Sequence, residues 1–221
     1  MSMAIRSPRQ SAMGVRWTED FRRGRDGVRR NQGDIAEVAP DYIGFEGKWV
    51  RFTEGNSRIL YPRLNLLGVA AITFGARFEK FVSTGTNQYA FCQGNAAAWP
   101  TGVGFIMVFS PHTTRIDCGV QIAGAYKNAA VTTWTEWTDE FSVVCTWESG
   151  DYVRLYGNGE QIKESNLTAG VLVDAGNNVS IGGDDNLSND AEGSVADPFV
   201  DLGRAWTADE ILAWHNRSLF V

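Results

Sequence analysis

The sequence predicts an all-β chain: two antiparallel sheets stacked face to face, with an extended N-terminal arm and a short C-terminal helix. Three observations carry this. Apolar residues alternate with small or polar ones in run after run, the period of a half-buried strand. The runs are separated by Gly, Asn and Asp, with 24 Gly against 6 Pro, the residues that tight turns need. Eight Trp, twelve Phe and six Tyr in a chain of 221 residues give enough apolar surface for a core without staples. No apolar stretch approaches the roughly 18 residues of a membrane span. No apolar core follows Arg6 and Arg9, so a secretory signal is not expected.

Taken in order, residues 1–40 stand apart as an arm. Residues 1–30 hold eight arginines, no lysine and three acids, a net +5; the whole chain is −6, so the remainder carries −11. The arm has no sustained apolar period, so alone it is expected to be disordered. Trp17, Phe21 and Val28 are spaced as anchors into another protein's groove. From residue 41 to 221 the chain reads as the sandwich. Tyr42–Phe52 and Arg58–Pro62 form an opening pair of strands around a turn at Thr53–Ser57. Gly68–Phe81 is a long strand. Three antiparallel strands fill Gln88–Ala123, with loops at Gly94–Gly102 and Ser110–Thr114. Val131–Phe141 leads into a hairpin, Phe141–Trp147 and Tyr152–Gly157, turned by Glu148–Asp151. Asn158-Gly159 is the dipeptide that best tolerates positive φ at both centres of a two-residue turn. A spacer reaches the short strand Asn178–Gly183, then an acidic, Asn-rich loop from Asp184 to Glu192, then a strand in Val195–Trp206. Thr207 and Glu210 have the spacing of a capping box, and Ile211, Leu212 and Trp214 give the following helix an apolar side.

The succession "YVRLYGNGEQI", "IGG" and "GSVADPFVDLGRAWTADEILAWHN" resembles the C-terminal half of laminin G-like, or concanavalin A-like, jelly-roll domains. "YIGFEGKWVRF" (Tyr42–Phe52) resembles that family's opening strand. The resemblance covers about residues 42–217 and implies a jelly-roll β-sandwich. It also implies two habits of the family. One is a Ca²⁺ at the sandwich rim, for which Asp184, Asp185, Asn186 and Asp190 supply oxygen ligands; a solvated turn is the alternative. The other is glycan binding through exposed aromatics, for which Trp99, Trp134 and Trp137 are the candidates.

The residues themselves argue against catalysis. Glucanases of this fold carry three carboxylates on alternate residues of one strand, which sets an acid and a nucleophile about 5 Å apart. Here the nearest stretch, Glu136-Trp-Thr-Asp139-Glu140, has spacings of three and one. As a strand it would put Glu136 and Glu140 on one face and Asp139 on the other. The chain has two histidines, His112 and His215, and no Ser in a G-x-S-x-G elbow. Cys92, Cys118 and Cys145 are widely spaced in apolar runs, with no pair that favours zinc. They read as buried free thiols in a protein folded in a reducing compartment.

A non-enzymatic structural or adhesion protein is therefore expected, with no cofactor unless Ca²⁺ binds. The lone lectin-like module, the thiols and the arginine-rich arm together point to a bacteriophage virion surface component of the capsid-decoration or tail-fibre kind. It would be assembled in the host cytoplasm in many copies. Arg16, Trp17, Phe21, Arg22, Arg23, Arg25, Arg29 and Arg30 would dock on capsid or tail subunits. The acidic body disfavours nucleic acid as a main partner, and no membrane is called for. The alternative is a carbohydrate-binding, lectin-like module recognising a cell-surface glycan; a glycoside hydrolase ranks third.

Overall fold

A computed structural model describes residues 16–18, 37–38, 43–46, 49–52, 58–82, 85–94, 102–122, 124–174, 176–183 and 191–218. Fifteen strands and one helix lie among them. The strands are β1 (Arg16–Thr18), β2 (Glu37–Val38), β3 (Ile43–Glu46), β4 (Trp49–Phe52), β5 (Ile59–Tyr61), β6 (Ala71–Glu79), β7 (Gln88–Gly94) and β8 (Val103–Ser110). They continue with β9 (Arg115–Ile122), β10 (Ala125–Val131), β11 (Phe141–Glu148), β12 (Asp151–Gly157), β13 (Glu160–Thr168), β14 (Val179–Ile181) and β15 (Gly193–Leu202). Helix α1 spans Ala208–Ser218.

Two wholly antiparallel sheets result. One runs β13-β12-β11-β6-β15-β4-β3, with β1 also on β15; the other runs β10-β9-β8-β7-β14-β5-β2. The expected two-sheet antiparallel β-sandwich with a short C-terminal helix is what the chain forms. Alternation along each strand builds the core between the sheets. In β8, Phe105, Met107 and Phe109 point inward, and Ile106 and Val108 join a separate apolar cluster. In β9, Ile116, Cys118, Val120 and Ile122 are core, while Asp117 belongs to the opposite face.

Aromatic rings cross the gap between the sheets. Phe78 of β6 sits 4.7 Å from Phe109 of β8, edge to face, and Phe74 sits 4.8 Å from Phe105. Cys92, Cys118 and Cys145 are buried free thiols. Burial is the main cause that pushes the Cys118 and Cys145 thiols well above their ordinary range, so they are inert packing groups.

The outer face of the eight-stranded sheet is covered by α1. Val144, Tyr156, Phe199, Trp206 and Ile211 form the seam, with Trp214 packed against it. Phe199 and Trp206 stack at 4.6 Å. The Thr207–Glu210 capping box forms as expected: the Thr207 backbone N–H donates to Glu210 Oε2 at 2.9 Å, and the Glu210 N–H donates to Thr207 Oγ1 at 3.3 Å. The Asn158-Gly159 turn also forms, with φ of +51° and +85°.

Three local expectations are corrected, and a segment the sequence left unassigned is a strand. Tyr42–Phe52 does not act as one strand paired with Arg58–Pro62. It holds the hairpin β3–β4, while β5 lies in the other sheet between β14 and β2. The spacer after Asn158-Gly159 contains β13, a charged edge strand that registers Glu164 against Arg154 and Lys163 against Leu155. Lys and Glu on an edge discourage pairing with other chains. Ala125–Val131 is strand β10, paired along its length with β9. Residues 132–140 are irregular, so the alternation assigned to Glu136, Asp139 and Glu140 does not apply.

β15 carries a bulge where its register shifts between Ala196 and Phe199. Asp197 takes φ of +48° there, and Pro198 has no N–H to give to the ladder.

Candidate functional site

Two clusters of polar side chains stand out, one on each outer face. On the helix-covered face, Arg77 of β6 is fully buried. It donates from Nη1 to Glu140 Oε1 at 2.9 Å and from Nη2 to the His215 carbonyl, and Asp197 Oδ2 lies 3.7 Å from its Nε. Its guanidinium lies over the Trp214 ring at 5.2 Å. The Ser142 hydroxyl and His215 Nδ1 are 2.9 Å apart. The pair has the look of a nucleophile and a base, but Ser142 is 1% exposed beneath α1 and no substrate reaches its Oγ. The cluster pins the helix.

That pin is pH-sensitive. Burial, and then the Arg77 charge, hold His215 below its ordinary 6.5, with Glu140 acting in the opposite sense. The unfolded chain therefore takes up this proton more readily. The stability it contributes is complete above about pH 6.5 and is lost as the pH falls through the lower folded value. Melting temperatures measured from about pH 7 to about pH 5 should fall less steeply in His215→Gln than in the parent. Equal slopes would remove His215 from this account.

On the other face, the end of β7, β8 and β9 opens into a cleft of about 570 Å³ lined by Asn87, Tyr89, Val108, Ser110, His112, Thr113, Arg115 and Asp117. That size falls within the roughly 300–1,000 Å³ range of small-molecule sites. Register sets its floor. Tyr89 lies opposite Val108, and Val108 opposite Asp117, so three neighbouring strands contribute one row. The rim comes from the β8–β9 connection, a 3₁₀ turn at Pro111–Thr113 closed by Thr114 in the left-handed region at φ of +53°. Thr114 Oγ1 donates to the Thr132 carbonyl at 2.8 Å, and the Ser110 hydroxyl bonds Asn87 Oδ1 at 2.6 Å. The rim is thus tied on both sides.

Asp117 is the hub. It is 7% exposed and accepts three hydrogen bonds: Arg115 Nη2 to Oδ2 at 2.5 Å, Tyr126 O–H to Oδ1 at 3.0 Å, and Asn128 Nδ2 to Oδ1 at 2.8 Å. A buried carboxylate needs such partners. Tyr126 lies across Gly119, where an added Cβ would come within 2.6 Å of two of its ring carbons. Burial, together with the Asp117 charge, raises the Tyr126 phenol well above 10, so it remains a donor at neutral pH.

The glycan candidates of the sequence lie elsewhere. Trp134 and Trp137 are 9% and 8% exposed, in the core, with rings 5.5 Å and 5.9 Å from Phe141. Neither has a free face for a sugar, so that role is corrected: the irregular segment turns both rings inward. The nearby carboxylates serve separate contacts. Glu136 accepts from Asn158 Nδ2 at 2.5 Å, and Glu140 pairs with Arg77.

Trp99 lies outside the described residues, as do Asp184, Asp185, Asn186 and Asp190. Among the described residues no His, Cys, Asp and Glu converge as a metal site. Of the arm, Arg16 and Trp17 fall in β1, registered against Asp201 and Val200 of the chain's own β15. Phe21, Arg22, Arg23, Arg25, Arg29 and Arg30 lie outside the described residues.

The sequence reading missed Asp117, Arg115 and Tyr126. The available signal was "RIDCGVQI": two charges alternating with core residues, then a glycine inside a strand, which marks a close approach.

No family model and no curated protein matches the sequence. The solved structures it resembles share its fold, a two-sheet antiparallel β-sandwich. The sialidase of Trypanosoma rangeli superposes with a TM-score of 0.63 at 13% identity, covering 95% of this chain and 33% of that one. The botulinum neurotoxin serotype D ligand binding domain, in complex with N-acetylneuraminic acid, gives 0.61 at 14%, covering 83% and 46%. The receptor binding domain of mosaic serotype C/D gives 0.59 at 15%, covering 94% and 46%. At these identities the likeness is one of fold, and the chain spans less than half the length of each.

Proposed function

We propose that this chain is a carbohydrate-binding, lectin-like module without catalysis of its own, and that the Asp117 cleft is its sugar site. The observation that carries this is a nearly buried carboxylate, fixed by Arg115, Tyr126 and Asn128, at the wall of an open cleft of about 570 Å³. An acceptor already held in place loses little freedom when a hydroxyl arrives. Serine, threonine, amide, guanidinium and carboxylate groups surround an apolar floor of Tyr89 and Val108, the mixture a polyhydroxyl ligand needs. The neighbours lend support of kind: one is a ligand binding domain in complex with N-acetylneuraminic acid, and others are sialidases, one of them in complex with an inhibitor. Those sialidases are enzymes, but a shared fold does not transfer a reaction.

A glycan array followed by calorimetry tests the reading. Binding is expected in the parent. It should weaken by roughly 10- to 100-fold in Asp117→Ala, as expected for removing a hydrogen bond to a charged group. His112→Ala at the rim perturbs the cleft without touching the Asp117 network and should also weaken binding. Retained affinity in both variants would overturn the site, and an empty array would overturn the reading. Attachment to a virion rests on the arm's composition and the family resemblance. Its adhesive part is compatible with glycan binding, but among the described residues nothing favours capsid or tail partners.

A further inference from the structure

We infer that the Asp117–Arg115 pair recognises two neighbouring hydroxyls of one sugar ring, a vicinal diol; this rests on the glycan reading and names the part of the ligand that the cleft grips. Strand geometry sets the pair. Arg115 and Asp117 lie two residues apart in β9, so they share a face. Both line the cleft, and Arg115 Nη2 donates to Asp117 Oδ2 at 2.5 Å.

What each group has left to offer decides the ligand. A carboxylate oxygen takes about two hydrogen bonds. Among the described residues, Asp117 Oδ1 receives two, from Tyr126 and Asn128, and Oδ2 receives one, from Arg115. One acceptor position is left on Oδ2. A guanidinium carries five N–H groups. One of those on Arg115 serves Asp117, and the side chain is 45% exposed, so others can reach into the cleft. The pair therefore offers an acceptor directly beside donors.

A vicinal diol is the matching group. Neighbouring hydroxyl oxygens on a pyranose are about as far apart as two hydrogen-bonded atoms. One O–H donates to Asp117 Oδ2 while the other oxygen accepts from Arg115. An amide also carries one donor and one acceptor, but in the trans form its N–H and C=O point in opposite directions, so it serves one partner and misses the other. Because Tyr126 and Asn128 fix the carboxylate, the two hydroxyls take unequal roles: one is read as a donor, its neighbour as an acceptor.

The experiment uses the full chain and the methyl glycosides of glucose, galactose and mannose, each with its monodeoxy and monodeoxyfluoro derivatives. Calorimetry should show binding of at least one parent glycoside. Deoxygenation at two adjacent carbons should each weaken it by about tenfold or more. Fluorine accepts weakly and cannot donate. At the carbon facing Asp117 the fluoro derivative should bind as poorly as the deoxy one; at the carbon facing Arg115 it should recover part of the loss. Arg115→Met, with its fold checked by melting, should erase the sensitivity at the second carbon and keep it at the first. The scan on the parent protein decides the inference even where that variant does not fold. Losses at one carbon alone, or at two that are not adjacent, would overturn the inference and leave the glycan reading standing. Unchanged sensitivity in a folded Arg115→Met would do the same. Failure of all three glycosides to bind would also overturn the diol, whereas an empty glycan array would overturn the reading beneath it.

Discussion

Phe141→Ala is expected to lower the unfolding free energy by about 3–5 kcal/mol, a large part of the roughly 5–15 kcal/mol that holds a typical domain together. Phe141 opens β11, is fully buried, and has more ring neighbours than any other core residue described. Phe78, Phe109, Trp134 and Trp137 lie 5.5–5.9 Å from it, and Phe81 lies at 6.3 Å. These rings come from both sheets and from the irregular segment before β11, so the void would form where three parts of the chain meet. Little can collapse into it, since β11 is paired on both sides, to β6 and to β12. Urea unfolding should show a lower midpoint with an unchanged slope. Phe141→Leu, closer in volume, should cost about 1.5 kcal/mol or less. A loss that small in the alanine variant would show that Trp134 and Trp137 can repack outward.

The same residues explain why the fold was more legible than the site. A strand whose partner follows directly announces itself. Phe141–Gly157 alternates around a short turn, Asn158-Gly159 suits positive φ, and Thr207 lies three residues before Glu210. Each signal is local. β10 and β13 lack one. "AYKNAAV" and "EQIKESNLT" are poor in β-branched and aromatic residues, and what makes them strands is pairing with β9 and β12. Trp134 and Trp137 misled for the reverse reason. An aromatic beside acids reads as a surface platform until the backbone is known to leave the strand path and turn inward.

The cleft was illegible because its chemistry is non-local. Asp117 meets Tyr126 and Asn128, nine and eleven residues on, only once β9 and β10 are set in register, with Ala130 opposite Asp117. A slip of one residue would send the carboxylate into the core. The polar network and the strand register therefore require one another.

On the opposite face, Arg77→Ala is expected to cost about 3–5 kcal/mol, the range for breaking a buried ion pair by removing one partner. Arg77 is 0% exposed, and its contacts join β6, the segment before β11, the β15 bulge and α1. Truncation removes the Arg77 cation from Glu140 and Asp197, strips the His215 carbonyl of a donor, and opens a gap beneath Trp214. Arg77→Met separates charge from volume. It fills the gap and should recover part of the loss, so equal destabilisation by Ala and Met would assign the whole effect to the lost guanidinium charge and its hydrogen bonds. The His215 titration gives an independent readout. The Arg77 charge helps to depress its pKa, so in Arg77→Met the folded value moves back toward 6.5 and the acid-linked loss of stability becomes shallower. Sugar binding should be untouched in both variants, because the Asp117 cleft lies on the other sheet and shares no residue with this cluster. An affinity that fell along with the helix contacts would mean that the two faces are coupled through the core.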